Sequence, residues 1–95
     1  MQNFMEKFKE YLLKKWYDNF DDGTHIIFKF PNNYGASVIK TRFSYGGNQG
    51  LWEIAVLYFD GDKYDITYST PITKDVLGYL TDEDVENTLE QIKNL

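Results

Sequence analysis

LWEIAVLYF, residues Leu51 to Phe59, is apolar at nearly every position and is bounded by Gly50 and by an Asp60-Gly61 turn signal. A strand with one face in water alternates apolar and polar residues, so a continuous run of this length means a strand covered on both faces. In a chain of 95 residues the second cover is either the protein's own helix or another molecule. One helix on each face accounts for the run within the chain, whereas two helices on one face leave an apolar wall that calls for a partner.

Working outward, the neighbouring segments read as further strands. Thr24 to Phe30 alternates, with Ile26, Phe28 and Phe30 on one face and His25, Ile27 and Lys29 on the other. Pro31-Asn32-Asn33-Tyr34-Gly35 is a turn, because proline lacks a ladder donor and Asn and Gly tolerate positive φ. Ala36 to Tyr45 is rich in residues that favour extended backbone, and Gly46-Gly47-Asn48-Gln49-Gly50 reads as the hairpin loop into the Leu51 run. Asp60-Gly61-Asp62-Lys63 turns that run into a fourth strand, Tyr64 to Tyr68.

Helices are expected at both ends. Phe4, Phe8, Leu12, Trp16 and Phe20 recur every four residues opposite Glu6, Lys7, Lys9, Glu10, Lys14 and Lys15, which predicts an amphipathic helix ended by Asp21-Asp22-Gly23, with Glu10 and Lys14 as a helical ion pair. Thr73 to Leu77 predicts a short helical turn broken at Gly78. Thr81 is placed to cap a final helix, with Asp82, Glu83 and Asp84 in its first turn, Asp84 at the capping-box position, and Val85, Leu89 and Ile92 as its buried stripe. The expected architecture is one α+β domain over residues 1–95, a four-stranded antiparallel meander packed with an N-terminal and a C-terminal helix.

Composition narrows the function. Hydrophobic residues make up 42% of the chain and aromatics 18%, so a ring-rich core is expected; there is no cysteine, which excludes disulfides and thiol chemistry. The stretch MQNFMEKFKEYLLKKWY has no uninterrupted apolar core and reads as neither leader nor membrane span, which gives a cytoplasmic expectation. Net charge is −5, and residues 48–95 hold ten acids against three lysines. That balance argues against direct nucleic-acid binding and suits docking onto a basic protein surface.

No catalytic constellation is legible. His25 is the only histidine and has no neighbouring Ser or Cys to activate, so it reads as an exposed or edge-strand residue. Asp60, Asp62 and Asp65 lack the spacing of a calcium loop, and the glycines at 46, 47 and 50 lack the Lys-Ser or Lys-Thr of a phosphate cradle. No cofactor and no metal are expected. The candidate partner-binding residues are the acids Asp60, Asp62, Asp65, Asp82, Glu83, Asp84 and Glu86, bordered by Tyr64 and Tyr79, with Trp52 as an aromatic anchor. If the turn and the helix N-terminus converge, these acids form one negative patch that imitates phosphates.

PNNYGASVI (Pro31 to Ile39), YGG (Tyr45 to Gly47), GLWEIAVL (Gly50 to Leu57), TPIT (Thr70 to Thr73), DVLGYLT (Asp75 to Thr81) and the closing DVENTLEQIKNL resemble, in matching order over residues 28–95, segments of short proteins encoded by phages and prophages of Gram-positive bacteria. The resemblance implies a phage origin and a host-cytoplasm setting, and carries no catalytic residues. By analogy with anti-CRISPR proteins, it implies a non-enzymatic protein that binds and inhibits a host defence protein such as a CRISPR effector nuclease. Two alternatives stand beside this. One is a phage assembly protein that dimerises through Trp52, Ile54, Val56 and Tyr58. The other is a metal-dependent hydrolase using Asp60, Asp62 and Asp65.

Overall fold

A computed structural model describes residues 3–95. After a single helical turn, α1 (Phe4–Lys7), and a 3-10 turn over Lys9–Tyr11, the chain forms β1 (Leu12–Asp18), β2 (Gly23–Lys29), β3 (Tyr34–Lys40), β4 (Trp52–Asp60), β5 (Lys63–Ile66), β6 (Leu77–Leu80) and α2 (Asp82–Lys93). The fold is α+β with a six-stranded antiparallel sheet, in the order β1-β2-β3-β4-β5, and β6 also pairs with β4. β5 and β6 pair with successive stretches of β4, Leu57–Asp60 and Trp52–Ile54 respectively. The radius of gyration, 12.4 Å, is that of one compact body of this length.

The expected four strands are present with shifted ends, and two further strands flank them. β1 replaces most of the expected N-terminal helix. Phe4 and Phe8 are buried as the helical reading requires, but from Leu12 onward the backbone is extended and pairs with β2. A spacing of four satisfies both a 3.6-residue and a two-residue period, so the pattern did not distinguish helix from strand. Glu10 and Lys14 accordingly form no ion pair among the described residues. The helical turn expected at Thr73–Leu77 does not form: residues 73–76 are irregular and lead into β6, which starts at Leu77, and Gly78 lies within that strand against Tyr45, where no side chain fits.

The C-terminal helix forms as read. The Thr81 side chain accepts from the Asp84 N–H at 3.2 Å while the Asp84 carboxylate accepts from the Thr81 N–H at 3.0 Å, closing the capping box. Val85, Leu89 and Ile92 are fully buried. At the far end the Asn32 amide donates to the carbonyls of Ile92 and Lys93 at 2.9 and 3.0 Å, satisfying groups the helix leaves open.

Both helices lie on one face. Phe4 and Phe8 of the N-terminal turns and Val85, Leu89 and Ile92 of α2 share one core with Ile26, Phe28, Ala36, Val38, Trp52, Ile54 and Val56. The face proposed for dimerisation is thus occupied from within, leaving only Tyr58 of that set exposed. Ala55, Leu57 and Phe59 point to the opposite face and are also buried, Leu57 and Phe59 clustering with Ile27. Their cover is the sheet itself. β1 and β5 are four strands apart, about 19 Å in a flat sheet, yet the Lys14 ammonium of β1 sits 6.0 Å from the Tyr64 ring of β5. The sheet therefore curls around this face, and the stems of Lys14 and Lys29 close it, the Lys29 ammonium lying 5.2 Å over Phe59 and donating to the Gly61 carbonyl at 3.2 Å.

Candidate functional site

Antiparallel order puts the β1–β2 turn, the β3–β4 connection, β6 and the N-terminus of α2 at one end of the sheet. The β2–β3 and β4–β5 turns and the C-terminus of α2 lie at the other. The first end carries exposed rings on braced backbone. Phe20 is 75% exposed, Phe43 67%, Tyr45 57% and Tyr79 55%.

Each ring is held by a local device. Thr41 Oγ1 accepts from the N–H groups of Phe43 and Ser44 at 3.1 and 3.0 Å, and Ser44 Oγ accepts from the Thr41 N–H at 2.9 Å. This side-chain bonding turns the chain out of β3 and aims Phe43 at solvent. The Arg42 guanidinium donates to the Phe20 carbonyl at 2.8 Å, and the Arg42 N–H donates to the Asp21 carbonyl at 2.9 Å, joining the two turns. It lies 4.7 Å from the Phe43 ring and 5.9 Å from Phe20, whose centroids are 6.1 Å apart. The Tyr45 N–H donates to Glu53 Oε1 at 2.8 Å, and its carbonyl accepts from the Tyr79 N–H at 3.1 Å. Gly46 has φ 91°, and a Cβ there would come within 2.9 Å of the Tyr79 Cα, so only glycine lets these segments meet. Tyr79 itself has φ 57°, a left-handed conformation that a bulky residue seldom adopts.

The acids that would form one patch if the turn and the helix N-terminus converged are divided between the two ends. Asp82, Glu83, Asp84 and Glu86 belong to the N-terminal half of α2, beside Tyr79. Asp60, Asp62, Asp65 and Tyr64 belong to the β4–β5 hairpin, about 23 Å along β4 from Trp52. Tyr64 and Tyr79 therefore do not border a common surface. Three of the four helix acids also have partners within the chain. Asp82 Oδ1 accepts from the Trp52 indole at 2.7 Å, Asp84 closes the capping box, and Glu86 accepts from Lys7 at 2.6 Å. That bond to Glu86 holds the Lys7 ammonium above its ordinary value of 10.5. Glu83 is the exposed member with no bond among the described residues.

Trp52 is a core residue and not a surface anchor. It is 8% exposed, meets Phe4 edge to face at 5.3 Å, and carries the Lys40 ammonium 4.2 Å over its ring. At the hairpin, Tyr64 packs on Phe59 at 4.9 Å, and a shallow depression is lined by Tyr58, Asp60, Lys63, Tyr64, Asp65 and Ile66. Asp60, Asp62 and Asp65 do not bring their oxygens together as ligands. Among the described residues Asp18, Asp21 and His25 do. His25 is neither exposed nor on an edge strand: β1 covers β2, Trp16 stacks on the imidazole at 4.9 Å and 9°, and Nε2 lies 2.8 Å from Asp21 Oδ2.

No protein-family model, curated protein or solved structure matches the chain. No helix of the described residues is long and apolar enough to cross a membrane. The aromatic end therefore rests on its own geometry. Sequence reading missed Phe20 and Phe43 because it placed one in a helical stripe and the other in a strand. A usable signal was present in Asp18-Asn19-Phe20-Asp21-Asp22-Gly23, where a lone ring among turn formers has no core to enter.

Proposed function

We propose that the protein is a phage-encoded, non-enzymatic binding protein that inhibits a host defence protein, such as a CRISPR effector nuclease, by contact through its aromatic end. The observation that carries the reading is the group of four exposed rings, Phe20, Phe43, Tyr45 and Tyr79, fixed by hydrogen bonds and flanked by Arg42. Aromatic rings bury large area at little entropic cost, and tyrosine and arginine are among the side chains that contribute most to protein contacts. The phage origin and the choice of partner rest on the sequence resemblance. Acidic steering enters in a narrower form than expected, through the α2 N-terminus beside Tyr79, where Glu83 is free to meet a basic partner.

The test is expression in a Gram-positive host with active CRISPR immunity, scored by plaquing of a targeted phage. Restored plaquing is expected with the wild-type chain, and loss of that effect with Phe20→Ser, Phe43→Ser and Tyr79→Ser combined. Unchanged plaquing, together with no host protein retained by the tagged chain, would remove the reading.

A further inference from the structure

The geometry points to a divalent transition-metal site formed by Asp18, Asp21 and His25 at the β1–β2 turn. One ligand atom from each of the three lies within 4.8 Å of the others, and the donor set is one imidazole and two carboxylates. The imidazole suits zinc or iron and the two carboxylates also admit manganese, whereas calcium and magnesium take oxygen ligands alone.

Three observations single this cluster out from ordinary turn acids. Asp21 Oδ1 is enclosed and has no hydrogen-bond partner, so a carboxylate oxygen is buried without compensation. The carboxylate is seated where only glycine fits beside it, since a Cβ at Gly23 would come within 2.7 Å of Oδ1. The donors are also oriented from behind. Asp18 Oδ1 accepts from the Phe20 N–H at 2.8 Å, and Trp16 holds the His25 ring flat with Nε2 toward Asp21. Such outer contacts fix the direction of metal ligands. At 2.8 Å the ring and Asp21 Oδ2 are in hydrogen-bond contact, and two ligands on one tetrahedral ion need about 0.5 Å more. Turn side chains grant that shift by small torsional changes. An ion here ties the end of β1 to β2 across the turn that presents Phe20.

The test uses the untagged chain, stripped with chelator, titrated with Zn2+ and separately with Mn2+ and Ca2+, and followed by calorimetry and by Trp16 fluorescence. One equivalent of Zn2+ or Mn2+ is expected to bind and change the Trp16 signal, and at 100-fold excess over Kd to raise Tm by about 10 °C. His25→Ala is expected to weaken binding at least about 10-fold. Asp18→Asn keeps the acceptor for the Phe20 N–H and so keeps the turn, and it is expected to weaken binding likewise. Asp60→Asn with Asp62→Asn is expected to leave it unchanged. Absence of saturable Zn2+ and Mn2+ binding by the wild-type chain would overturn the proposal, as would full affinity in Asp18→Asn.

Discussion

Tyr79 carries the clearest conflict between local preference and position. Its left-handed backbone costs about 1–2 kcal/mol in an L-residue, and the residue is 55% exposed, so burial offsets only part of that cost. Tyr79→Gly is expected to stabilise the fold by about 0.5–1 kcal/mol, the relief of strain less the entropy glycine adds to the unfolded chain. Urea denaturation checks this, and the same variant should bind its partner less well. Lys7 gives a second residue-scale expectation. Its ammonium is held above 10.5 by the hydrogen bond to Glu86, so the folded state keeps its proton longer than the unfolded chain. That contribution is complete below the unfolded value and is lost as pH rises through the folded one. Melting temperature should therefore decline above about pH 10, and Glu86→Gln should remove this part of the decline. An identical alkaline profile in both proteins would show that the pair contributes nothing.

Element by element, legibility followed how uniquely a pattern named its period. α2 was readable from its cap to its buried stripe, because Thr81, Asp84 and Val85-Leu89-Ile92 fit no strand. The Leu51–Phe59 run was readable as a doubly covered strand, but its second cover was not, since curling of the sheet depends on contacts between Lys14 and Tyr64, 50 positions apart. β1 was misread because every fourth residue lies on one side of a helix and of a strand alike. Its register slip between Leu12 and Lys14 then moves Trp16 to the face opposite Leu12, which no regular repeat encodes. β1 pairs only with β2, so it forms an edge, and Lys14 and Lys15 at its centre guard it. Lys14→Val with Lys15→Val is expected to convert the protein into higher-order species at high concentration. Light scattering coupled to size exclusion reads the result, and an unchanged mass would show that the edge is protected by something else.

For the molecule as a whole, the sheet separates two ends of different character. One presents aromatic rings on glycine-dependent and Thr/Ser-braced turns, bordered by Arg42 and by the start of α2. The other presents the Asp60, Asp62 and Asp65 hairpin. Whether these acids converge with those of α2 is not legible in the sequence, because sequence proximity says nothing about which end of a strand a turn occupies. Topology divides them and brings Phe20, Phe43, Tyr45 and Tyr79 together from three segments. The most direct measurement is quantitative co-purification from host lysate with three tagged chains: wild type, Phe20→Ser/Phe43→Ser/Tyr79→Ser, and Asp60→Asn/Asp62→Asn/Asp65→Asn, each first shown to melt like wild type. Retention of one defence protein by the wild-type and hairpin chains, with loss of about 100-fold in the aromatic variant, is the predicted result. Equal retention by the aromatic variant, or loss confined to the hairpin variant, would contradict the account.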